Sequence, residues 1–61
     1  MKPWTFGAYS AWQGTAHVIV ECPGAGRLLY FDDVDMAVNW LYTNGHKPAA
    51  RSLNSHVKAN P

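Results

Sequence analysis

Hydrophobic and polar positions alternate through the first half of the chain and change period in the second. Trp4, Phe6, Ala8 and Trp12 share one parity, interrupted by Ser10, so residues 4–12 read as a strand near period two. Gly7 marks a bulge in that strand, and Tyr9 points to its other face. Gln13-Gly14 is a turn signal. Residues 15–22 centre on Val18-Ile19-Val20, whose β-branched side chains favour extended backbone. Pro23-Gly24-Ala25-Gly26 breaks that strand, and a second apolar run, Leu28-Leu29-Tyr30-Phe31, follows. Two such runs so close in sequence predict an antiparallel hairpin.

The period then becomes helical. Val34, Ala37, Val38 and Leu41 recur at i, i+3, i+4 and i+7, one face of a helix over Asp33–Asn44. Asp32 or Asp33 caps its first turn, where acidic side chains also suit the positive helix end. Gly45 stops it. A helix of about a dozen residues is marginal alone in water, so it must lie on the sheet. Beyond it, Ala49, Leu53 and Val57 recur every four residues, a spacing that serves a helix face and a strand face equally. Pro48 suits the first turn of a helix or the approach to a strand. The Ser and Asn residues among the basic side chains tip the expectation for 46–57 toward a short strand beside the hairpin. Residues 58–61 are expected to fray. The predicted fold is α+β: a small antiparallel sheet of three strands, or four, packed against one α-helix. It forms a single domain over 1–61 with its ordered core at about 4–57.

Length bounds this picture. A chain of 61 residues buries only about 60% of its unfolded surface, so its stability margin is thin. Cys22 is the only cysteine, which excludes an internal disulfide. Eight aromatic residues are the expected compensation, and a homodimer sharing a core is the other route. Five Lys and Arg against four Asp and Glu give none of the basic excess of a duplex nucleic-acid binder. The charges are segregated, however. Asp32, Asp33 and Asp35 cluster, while Lys47, Arg51 and Lys58 follow Gly45 with no acid among them. The N-terminus lacks the apolar run of a signal peptide, and no stretch approaches the length of a membrane span. A cytoplasmic protein is the expectation, and its lone cysteine fits a reducing compartment.

Candidate chemistry is sparse. Cys22 could act as a nucleophile with His17, His46 or His56 as base, yet nothing nearby in sequence lowers its pKa or orients a base. His17 and Cys22 fall on opposite strand faces and His46 and His56 lie ten apart, so no pair has the spacing of a zinc site. Pro23-Gly24-Ala25-Gly26-Arg27 lacks the Gly-Lys-Ser/Thr and the following helix of a phosphate cradle. The expectation is therefore no enzyme, no metal and no cofactor. Aromatic surface is a better lead, because a small sheet cannot bury three tryptophans and three tyrosines completely. Trp40 and Met36 fall on the flank of the helix. With the acidic turn Asp32, Asp33 and Asp35, and with Tyr9 and Trp12 of the first strand, they form the expected partner surface.

The strand run leading to a helix that opens with Phe31-Asp32-Asp33 and carries Ala37-Val38-Asn39-Trp40-Leu41 resembles two layouts. One is that of small bacteriophage-encoded proteins that bind and inhibit host enzymes, which have strands, a helix rich in Ala and Trp, and a closing strand. The other is the three-stranded sheet and helix of phage integrase arm domains, which bind DNA through the sheet. The first implies a small protein that occludes a surface of a larger host protein, part of the transcription or defence machinery. The second implies a nucleic-acid-binding module, for which Arg27, Lys47, Arg51 and Lys58 are the candidate contacts. Arm domains carry many basic residues on their strands, whereas here only Arg27 adjoins them, opposed by Glu21.

Overall fold

The structure, a computed structural model, describes residues 1–60. Four strands, β1 (Trp4–Phe6), β2 (Tyr9–Gln13), β3 (Val18–Glu21) and β4 (Leu28–Phe31), form one antiparallel sheet in sequence order. Two helices follow, α1 (Val34–Thr43) and α2 (Lys47–Ala59). This is the expected α+β class with four strands, and with a second helix where a closing strand was expected.

Two local expectations are corrected. Residues 4–12 are not one bulged strand. Gly7 and Ala8 form a two-residue hairpin turn, with Phe6 opposite Tyr9 and Gly7 at φ +59°. A glycine at positive φ in the first central position, followed by an ordinary residue, is the pattern of a type II′ turn. The turn also reverses the expected parity: Trp4 faces Ala11 on one side of the sheet, and Trp12 lies on the other.

The segment 46–57, expected as a strand, instead enters α2 at Lys47. The residue left out of the four-residue spacing is Ala50. Ala50, Leu53 and Val57 stand at i, i+3 and i+7, which no strand can place on one face. Ala49, Ala50 and Leu53 are buried, and Pro48 sits in the first turn, where its missing N–H costs nothing. The helix continues through Ala59, where fraying was expected from Lys58, and the Asn60 N–H closes it on the His56 carbonyl. Pro61 lies outside the described residues.

The predicted first helix forms with both ends as expected. Asp33 Oδ1 accepts from the Met36 N–H at 2.9 Å. At the other end Gly45 takes φ +86° and the His46 N–H reaches back to the Leu41 carbonyl at 2.8 Å. That bond closes a Schellman motif, whose six-residue loop needs a left-handed residue at Gly45.

Both helices cover one face of the sheet. Trp4, Ala11, Val18 and Val20 of that inner face form a single core with Ala37 and Leu41 of α1 and Ala49, Ala50 and Leu53 of α2. Two long-range bonds tie the N-terminal segment to α2. Trp4 Nε1 donates to Ser52 Oγ at 3.0 Å, and His56 Nε2 lies 2.8 Å from the Lys2 carbonyl. No helix of the described residues is long and apolar enough to cross a membrane.

Candidate functional site: the uncovered sheet face

Strand alternation gives the sheet a second face that no element covers. Cross-strand register aligns Trp12, Ile19 and Tyr30 in one row across β2, β3 and β4. Ser10, Glu21 and Leu28 make the next row, with Ser10 Oγ donating to Glu21 Oε1 at 3.1 Å. Tyr30 is 59% exposed and Leu28 39%, whereas Trp12 and Ile19 are half-buried by their neighbours. The His17 ring meets Tyr30 edge-on at 6.0 Å, and its Nε2 stands 4.0 Å from Asp32 Oδ1. Both side chains of that contact are solvent-exposed, so it contributes little stability. The outer face is thus an aromatic and aliphatic stripe, rimmed by hydroxyls, Glu21 and Asp32, with no Lys or Arg on its strands. Apolar centre and polar rim are the layout of protein-binding surfaces.

The residues expected at a partner surface divide among three places. Trp12 and Asp32 belong to this outer face. Met36 is 49% exposed on the flank of α1, and Asp33 and Asp35 are exposed at its start, where Asp33 is occupied as the cap. Trp40, on the same flank as Met36, is half-buried between Phe31 (centroids 6.1 Å) and the stacked ring of His46 (5.8 Å). Tyr9 is on the inner face, its hydroxyl 2.8 Å from His46 Nδ1. Ile19, Leu28 and Tyr30 were missed. The signal was present in the alternation of Val18-Ile19-Val20, which sends Ile19 alone to the face opposite the core.

A second cluster surrounds His46. Sharing one residue between the end of α1 and the start of α2 fixes its backbone, and its side chain makes no capping bond. The ring instead packs among Tyr9, Trp40 and Cys22, whose sulfur lies 3.6 Å from Nε2 and 4.0 Å from Nδ1. Near-equal distances to both nitrogens put the sulfur beside the ring and not in line with either lone pair, a poor geometry for proton transfer. Cys22 is 5% exposed, and burial pushes its thiol above its ordinary pKa. His46 was one of three possible bases for Cys22 by residue type, and no spacing singled it out across the 24 positions between them. The fold joins them, in an arrangement that favours the neutral thiol. Cys22 also borders an open concavity of about 490 Å³ formed with Ala8, Glu21, Leu28 and the β3–β4 turn. His17 and His56 lie elsewhere, and no group of three metal-ligating side chains occurs among the described residues.

The basic residues are also divided. Lys47, Arg51 and Lys58 are exposed on α2 at i, i+4 and i+11, within about 40° of one another around the helix. Arg27 stands apart, in the turn before β4. Against known proteins, no family model matches this chain, and no curated protein or solved structure matches it.

Proposed function

We propose that this domain is a non-catalytic protein-binding module that docks through its outer sheet face, with Trp12, Ile19 and Tyr30 as anchors. The observation that carries this reading is the packing of both helices on one side of the sheet, which leaves a cross-strand aromatic row uncovered. Large side chains in such a row supply most of the binding energy of an interface when a partner desolvates them. The partner's matching surface is apolar at its centre with hydrogen-bonding groups around it. The mode of action is occlusion of a surface on a larger protein, as the resemblance to phage-encoded inhibitors of host enzymes implies. That resemblance is one of layout and length over about residues 15–57, and it expects a closing strand where this chain has α2.

Affinity capture from host lysate tests the reading. A Trp12→Ser/Ile19→Thr variant should lose a protein that the wild type and Met36→Ala both retain. Equal capture by the outer-face variant, or loss with Met36→Ala alone, would move the binding surface to the flank of α1.

A second reading has its own observation, the alignment of Lys47, Arg51 and Lys58 on α2. It makes α2, and not the sheet, a contact for nucleic-acid phosphates. If each cation neutralises one phosphate of duplex DNA, affinity falls with a log–log salt slope of about −2.7. Substituting all three by Gln should abolish binding. No binding at low salt would remove this reading.

A further inference from the structure

We infer that β4 pairs with β4 of a second copy of this chain, antiparallel and about a two-fold axis, to form a continuous eight-stranded sheet. The sheet order places β4 at an edge, and among the described residues no side chain or neighbouring segment bonds to its free side. Natural edge strands are usually protected by a lysine, a proline, a bulge or a covering element. Leu28-Leu29-Tyr30-Phe31 has none of the first three, and its inner-face side chains Leu29 and Phe31 are only half-buried beneath α1.

Charge selects the occupant. The strand is flanked by Arg27 at its start and by Asp32 and Asp33 at its end. Antiparallel pairing of this segment with itself sets Arg27 of each copy beside the acidic end of the other, at both ends of the new interface. Parallel self-pairing would oppose like charges at each end. Residues opposite each other on antiparallel strands share a face, so with inner faces kept together Tyr30 meets Tyr30 of the second copy and Arg27 lies opposite Asp33. The row Trp12–Ile19–Tyr30 then continues across the axis, and the contact closes at two copies. This pairing uses the edge of the sheet, whereas the proposed partner surface is its face, so either can hold without the other.

Sedimentation velocity of the full chain over a concentration series tests the pairing. Wild type should pass from one to two chain masses as concentration rises. Arg27→Asp should weaken the association at least about tenfold by setting acid against acid. Arg27→Asp/Asp33→Arg, which exchanges the two opposed charges, should restore it. Tyr30→Lys, which sets lysine against lysine on the axis, should also give monomer, with far-UV circular dichroism and urea midpoint confirming that each variant folds. A wild type still monomeric at about 1 mM would overturn the proposal. So would assembly beyond two copies, capture of another protein's strand in place of a second copy, or a dimer indifferent to Arg27→Asp and Tyr30→Lys.

Discussion

His46 shows how one position can serve two elements and a core. Its backbone ends α1 and begins α2, which leaves the ring to fill the space between Tyr9, Cys22 and Trp40. Removing the Tyr9 hydroxyl with Tyr9→Phe leaves a half-buried imidazole nitrogen without its partner and should cost about 1 kcal/mol in urea unfolding. Cys22 makes a pH-dependent contribution. Its thiol is raised in the folded state by burial, so the unfolded chain ionises first. The stability this group supplies is complete while the thiol of the unfolded chain stays protonated, and is lost as pH rises through the folded value. Urea midpoints taken across that alkaline window should fall further for the wild type than for Cys22→Val. Equal declines would contradict the assignment. Leu53, fully buried at the junction of sheet and helices, sets the scale for a core position: Leu53→Ala should cost about 2–5 kcal/mol.

At the scale of elements, the ends of α1 are specified by two residues. Asp33→Ala removes the cap on the Met36 N–H and should cost about 1 kcal/mol, whereas Asp35→Ala, in the same turn but without a capping bond, should cost less. Gly45→Ala forces a β-carbon into φ +86° and should cost roughly 1–2 kcal/mol. α1 was legible in the sequence because apolar spacing, Asp33 and Gly45 all point to the same element. β3 was legible for its β-branched centre, and the β3–β4 hairpin for its Pro-Gly turn. The two misreadings have a common physical origin: a short segment whose spacing satisfies two geometries. Trp4 and Phe6 keep one parity whether Gly7 bulges or turns, and only the II′ requirement for glycine separates the cases. Ala49, Leu53 and Val57 fit both periods until Ala50 is counted. The outer face was half legible, through Trp12 and Asp32. Its other members depend on register, which the sequence pattern specifies only once the first hairpin is placed. Tertiary neighbours such as Cys22 and His46 carry no local signal at all.

Across the whole molecule, apolar surface and charge are both unevenly placed. The core takes one face of the sheet, the aromatic row occupies the other, Asp32, Asp33 and Asp35 gather where β4 meets α1, and α2 carries cations without an acid. A domain this small has few side chains to spare from its core. On the proposed reading, the tryptophan, isoleucine and tyrosine in register on the outer face serve a partner and not the stability of the isolated chain. Urea denaturation of Trp12→Ser/Ile19→Thr beside wild type and Leu53→Ala tests that claim most directly. If the outer face is held for a partner, the double variant loses only cross-strand contacts, about 1 kcal/mol for each residue, and stays well above Leu53→Ala. A loss equal to or greater than that of Leu53→Ala would make the row a structural core in its own right and contradict the account.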